Sequence, residues 1–204
     1  MRFLILSDIH GSRPILEKVM KFYDNGHYDM LLLLGDLLNY GPRNGVPEGL
    51  DAPGVVEILS KYQKDIVAVR GNCDSEVDQM LLPFPIMSTY AIVADGKHRI
   101  FLTHGHIVNE GNLPPKGCCE VFFYGHTHLC GIKPSEDGGP AICNTGSPTF
   151  PKGGNPSTFA TLEDGVLSLR LLDGSVLKQL KVYQEKGRQH SSLAPKTTLA
   201  NAIF

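Results

Sequence analysis

At 204 residues, with 42% hydrophobic and 20% charged side chains, the chain has the composition of one ordinary globular domain, neither disordered nor fibrous. A formal net charge of -2 at pH 7 removes any global attraction to nucleic acid or to an anionic membrane surface. Five cysteines (Cys73, Cys118, Cys119, Cys130 and Cys143), odd in number and without a Cys-x-x-Cys pair, argue against a disulfide framework and a structural zinc site. With no signal-peptide pattern at the start, a cytoplasmic location is expected.

In chain order, residues 2–6 read as a short apolar strand that runs into Ser7-Asp8-Ile9-His10-Gly11. Ser12 is placed to cap a helix with Pro14 in its first turn. Ile15, Leu16, Val19, Met20 and Tyr23 recur at helical spacing, and Asn25-Gly26 supplies a stop. Residues 30–34 are five apolar side chains in a row, too few to cross a bilayer and suited to a central strand buried on both faces. Gly35-Asp36 follows at once, at the strand end where open α/β sheets place ligands. A Gly/Pro/Asn-rich loop comes next, then a second helix marked by Val55, Val56, Leu59 and Tyr62. A third strand at 66–69 ends in Arg70-Gly71-Asn72-Cys73-Asp74.

Strand–helix alternation to this point predicts a parallel sheet with right-handed crossovers. The texture then becomes strand-rich. Residues 89–94 and 99–103 form a hairpin joined at Asp95-Gly96, the second strand running into His104-Gly105-His106. Residues 107–117 read as loop, and 121–124 as a buried strand entering Gly125-His126-Thr127-His128. Strands at 141–144, 158–163, 166–172 and 176–182 complete the domain, which is taken as 1–185; 186–204 read as a polar, flexible tail.

Strand after strand thus ends in a metal-capable side chain: Asp8 and His10, Asp36, Asn72, His104, His126 and His128. Singly these are weak, since Asp-x-His is more often a turn Asp beside a surface His and Gly-Asp is ordinary turn chemistry. His27, His98 and His190 have no such partners and are read as surface or loop residues. The ordered set carries the argument. Imidazole, carboxylate and carboxamide donors without an obligatory thiolate suit Mn²⁺, Fe²⁺ or Zn²⁺, with Ni²⁺ a further option. Seven donors are too many for one small divalent ion but suit two that share Asp36, the site type used for phosphoester hydrolysis.

The order Asp-x-His, Gly-Asp, Gly-Asn-x-Asp, His-Gly-His, Gly-His-x-His resembles the calcineurin-like metallophosphoesterase superfamily, and more closely its small YfcE-like phosphodiesterases. Residues 37–44, 69–74 and 151–156 share in the resemblance. It implies an α/β fold, a two-sheet β-sandwich flanked by helices in a single domain, with a dinuclear site on its rim. It assigns Asp8, His10 and His128 to one metal, Asn72, His104 and His126 to the other, and Asp36 to both, with manganese as the expected metal. The implied reaction is cleavage of a small phosphodiester by in-line attack of a metal-bridging hydroxide. Much of the superfamily has His where Cys73 stands, while Asp74 is kept. Cys73, Asp74 and His106 are therefore the candidate catalytic residues, with slow turnover biased towards good leaving groups. Arg43 and Asn39 are candidates for contacting the non-scissile part of the substrate. A phosphomonoesterase, a scaffold like the retromer subunit Vps29 and a remote thiol-redox role through Cys73 are the rival readings. No membrane partner is expected, the sequence carries no strong nucleic-acid signal beyond room for a local basic patch, and self-association is left open.

Overall fold

The structure, a computed structural model, describes residues 1–183; the expected tail at 186–204, His190 and the domain end at 185 lie outside the described residues. The apolar runs resolve into a sandwich of two mixed sheets. The first contains β1 (Arg2–Leu6), β2 (Met30–Leu33), β3 (Ile66–Ala68), β9 (Thr158–Glu163), β10 (Val166–Leu171) and β11 (Val176–Lys181), in the order β11-β10-β9-β1-β2-β3. The second contains β4 (Tyr90–Asp95), β5 (His98–Thr103), β6 (Val121–Tyr124), β7 (Cys130–Lys133) and β8 (Ala141–Thr145), in the order β4-β5-β6-β8-β7. As expected, β1, β2 and β3 pair in parallel; so do β5, β6 and β8, while β9, β10 and β11 are antiparallel.

Continuous apolar runs follow from burial on both faces. Phe3 and Ile5 of β1 and Leu32 of β2 point between the sheets, where they meet Ile100, Leu102, Val121 and Phe123. Leu4, Leu6, Leu31 and Leu33 point the other way, against Leu16, Val19, Met20 and Tyr23 of α1 (Arg13–Gly26) and Val55, Ile58 and Leu59 of α2 (Ala52–Ser60). The outer face of the second sheet has no helix among the described residues. Phe101, Phe122 and Tyr124 are covered there by Val108, Leu113 and Cys119 of the loop before β6. No helix among the described residues is long and apolar enough to cross a membrane.

Several local expectations need correcting. β2 is next to the edge rather than central; its burial comes from the layers above and below, not from its place in the sheet. Ser12 sits at the helix start, but its hydroxyl donates to the Glu48 carbonyl instead of capping α1. Helix α1 ends on His27 in the left-handed conformation (φ 50°). Gly26 is needed for a different reason, because a Cβ there would collide with the Tyr28 ring. Asp95 pairs with His98, so the hairpin turn is Gly96-Lys97, with Gly96 at φ 61°. His98 is a strand residue whose ring stacks on Tyr183 at 3.9 Å. Two elements had no legible pattern. Helix α3 (Glu76–Leu81) starts on a Ser75–Asp78 capping box but exposes Val77, Met80 and Leu81. Strand β7 holds a glycine and buries Ile132 alone, so it shows no alternation.

Candidate metal centre

The carboxyl ends of β1, β2, β3, β5 and β6 meet along one rim. Backbone bonds stitch them: the Asp8 N–H donates to the Gly35 carbonyl at 3.1 Å, and the Gly125 N–H to the His104 carbonyl at 2.8 Å. Across the sandwich, the His126 N–H donates to Asp8 Oδ2 at 2.9 Å. The seven donors that terminate these strands are thereby drawn together. Ligand atoms of Asp8, His10 and His128 lie within 4.8 Å of one another, as do those of Asp8, Asp36 and His104.

Such closeness requires unusual backbone. Asp8 (φ 57°), His10 (φ 52°), Asp36 (φ 55°), His126 (φ 65°) and His128 (φ 60°) all occupy the left-handed region. Each such residue costs on the order of 1–3 kcal/mol, a strain that folds tolerate mainly at functional sites. Glycine solves the remaining crowding. A Cβ on Gly71 would strike Asp36 Oδ1 and the Asp36 amide, so the β3 turn can pass beneath Asp36 only as glycine.

The electrostatics at the first focus are unbalanced. His10 Nδ1 donates to the Asn39 carbonyl at 2.8 Å and His128 Nδ1 to the Phe150 carbonyl at 2.7 Å. With those protons placed, both Nε2 atoms present lone pairs, and they face each other at 3.3 Å. Asp8 Oδ2 is satisfied by Ser7 Oγ at 2.7 Å and by the His126 amide, but buried Asp8 Oδ1 has no hydrogen-bond partner. It lies 3.2 Å from His128 Nε2 and 3.5 Å from His10 Nε2. Three acceptors converging in a buried space require a positive charge between them. The titration tendencies agree. Burial alone would favour neutral forms, yet Asp8 is held well below and His10 above the ordinary range because each faces the other.

A second focus repeats the pattern. His104 Nδ1 donates to the Leu34 carbonyl at 2.8 Å, turning Nε2 towards Asn72 Oδ1 at 3.1 Å and Asp36 Oδ2 at 3.5 Å. Asp36 Oδ2 also lies 3.9 Å from His10 Nε2, so this oxygen stands between the two foci. The His126 ring is 5.1 Å from that of His104. Desolvation and the neighbouring His104 depress its pKa, as they do that of His106, favouring the neutral imidazole that ligates metals. The residues present fit divalent metal.

Residues 1–164 match the calcineurin-like phosphoesterase superfamily domain. The chain belongs to that superfamily. It is 45% identical over 184 residues to the phosphodiesterase YfcE of Escherichia coli strain K12, a match covering 89% of this chain and 98% of that protein. The solved structure of E. coli YfcE superposes with a TM-score of 0.86 at 44% identity, covering 90% of this chain and 100% of the other. Vps29 of Entamoeba histolytica, solved in complex with zinc, matches at TM-score 0.59 and 19% identity over 90% of this chain and 100% of its own, a likeness of fold alone. As a calcineurin-like phosphoesterase the chain is a metal-binding hydrolase of phosphate esters.

The remaining candidates fall in different places around this phosphoesterase centre. Cys73 lines the cleft, and its N–H donates to Asp36 Oδ1 at 2.7 Å. Burial and the Asp36 charge push its thiol up to about 12, making it a weak acid. Asp74 is buried beneath the site and does not line the cleft. It accepts the amides of Asp36 (2.8 Å), Leu37 (3.0 Å) and Gly71 (2.7 Å), so its place is that of a positioning residue. His106 packs against His104 at 5.2 Å and His126 at 6.1 Å, with a buried Nδ1 that has no partner among the described residues. Arg43 lines the cleft, whereas Asn39 turns its carboxamide oxygen back to the Gly41 amide. Asn44 and Lys152 also line it and were missed. The signal for Lys152 is the paired glycines Gly153-Gly154, which mark a tight turn beside it.

Proposed function

We propose that this phosphoesterase is a phosphodiesterase with a dinuclear centre, acting by in-line displacement on a small diester. The observation that carries the reading is the buried, partnerless Asp8 Oδ1 facing the bare nitrogens of His10 and His128, with His104 Nε2 turned to the oxygens of Asn72 and Asp36 beside it. Asp8, His10 and His128 would hold one cation and Asn72, His104 and His126 the other, with Asp36 between them. Two such ions supply a water of lowered pKa and a clamp for phosphoryl oxygens.

The chain's own residues contribute orientation and proton control. Carbonyl groups of Asn39, Phe150 and Leu34 lock the three imidazoles in the Nε2-ligating tautomer, and Asp74 holds the Asp36 loop. Cys73 Sγ occupies the cleft position where much of the superfamily has an imidazole. A thiol donates a proton less readily, which favours esters whose leaving group departs as a stable anion. Manganese suits the mixed imidazole and oxygen donor set. The test is metal analysis together with hydrolysis of bis(p-nitrophenyl) phosphate and p-nitrophenyl phosphate. Two divalent ions per chain and a higher kcat/KM on the diester are expected; absence of bound metal and of manganese-stimulated turnover overturns the reading, and preference for the monoester overturns its diesterase part.

A further inference from the structure

The cleft over the candidate metal ligands is flanked by two cations from different loops: Arg43 from the β2–α2 loop and Lys152 from the β8–β9 loop. Among the described residues, Arg43 is the arginine whose guanidinium makes no hydrogen bond and no ion pair. Arg2, Arg13, Arg70, Arg99 and Arg170 are all engaged. The Lys152 ammonium likewise has no partner among the described residues, and both side chains are exposed.

The loops that carry them, by contrast, are bonded to the site and within themselves. The Lys152 N–H donates to the His128 carbonyl at 3.1 Å, and its own carbonyl accepts Asn155 Nδ2 at 2.7 Å. In the loop of Arg43, Asn44 Nδ2 donates to the Tyr40 carbonyl at 2.8 Å, while the Asn39 carbonyl takes His10 Nδ1. Two loops anchored on ligand residues therefore present two positive charges, unpaired among the described residues, at the cleft. A guanidinium pairs two oxygens of one anionic group, and an ammonium adds a point charge to the same group.

We infer that Arg43 and Lys152 form a clamp for a second anionic group, so that the substrate class is a phosphodiester whose non-leaving alcohol carries a further phosphate or carboxylate. This deepens the diesterase reading and rests on it. The reacting diester, with its single negative charge, lies at the cleft floor; the clamp recognises the charge that the alcohol carries to the rim.

The test compares two chromogenic diesters that differ by one phosphate, thymidine 5′-(p-nitrophenyl phosphate) and its 3′-phosphorylated analogue, on manganese-loaded protein. The clamp predicts a kcat/KM about tenfold higher for the phosphorylated substrate. Arg43→Ala and Lys152→Ala should each bring that ratio towards one, and Lys152→Arg should keep it. Titration calorimetry with thymidine 3′,5′-bisphosphate against thymidine 5′-phosphate gives a readout independent of turnover, with the bisphosphate binding more tightly to the native protein and losing that advantage in both alanine variants. Equal kcat/KM for the two substrates, or a preference that survives both alanine substitutions, overturns the clamp. Loss of turnover on every diester, bis(p-nitrophenyl) phosphate included, fails the diesterase reading instead, and the calorimetry then decides the clamp separately.

Discussion

Cys73 and Asp74 are neighbours with opposite duties. Cys73 faces the cleft, where a thiol replaces an imidazole; Cys73→His is expected to leave metal content unchanged and raise kcat on poor leaving groups by at least about tenfold. Metal analysis alongside kcat for aryl diesters of graded leaving-group pKa checks this, and an unchanged kcat would count against a proton-donor role at that position. Asp74 instead points down, with three amides on one carboxylate. Asp74→Asn keeps the shape but loses an acceptor oxygen, so manganese affinity should fall about 10–100-fold, as measured by calorimetric titration. Asp74 was expected beside the chemistry because it follows Cys73 in the motif; burial alone reveals its positioning role.

At the scale of elements, strands β1 and β9 are tied by more than their ladder. Glu163 at the end of β9 accepts Tyr28 Oη at 2.6 Å and Arg2 Nη2 at 2.8 Å. Burial pulls its pKa upward, but these partners outweigh it and the value lies below the ordinary one. A depressed folded-state pKa means stability present above the ordinary glutamate value of 4.5 and lost as pH falls through the folded one. Glu163→Gln should therefore cost about 1 kcal/mol at pH 7, with the gap to the native protein narrowing on acidification; thermal unfolding at pH 7 and pH 4 measures it. The strands themselves were legible because residues such as Phe3 to Leu6 form unbroken apolar runs. Helix α3 and strand β7 were not, since neither buries a repeating face.

For the molecule as a whole, five of the eight non-glycine residues at positive φ among the described residues lie at the rim where two sheets meet, together with the orphan Asp8 Oδ1. The left-handed backbone of Asp8, His10, Asp36, His126 and His128 and the orphan Asp8 Oδ1 weigh against the folded state, and positive charge in the site would satisfy the oxygen and offset the strain. Ions that bind the native state and not the unfolded chain stabilise it by mass action, by about 2.7 kcal/mol at a hundredfold excess over Kd. Stripping metal with a chelator should thus lower Tm by roughly 5–10 °C, and manganese should restore it. A Tm indifferent to chelator and manganese would show that the cluster does not couple to folding.

The ordered donors, their placement after apolar strands and the glycines beside them were written in the chain, because strand burial and turn geometry are local properties that leave periodic marks. Which donors face one another was not. Proximity of Asp36 Oδ2 to His10 arises from the parallel pairing of β1 with β2. That of Asp8 to His128 and of Asp36 Oδ2 to His104 arises from the closing of two sheets on each other, which also leaves Lys152 and Arg43 lining one cleft. Contacts between residues on separate strands, however far apart in the chain, carry no spacing that a one-dimensional pattern can show, so only the packed sandwich decides them.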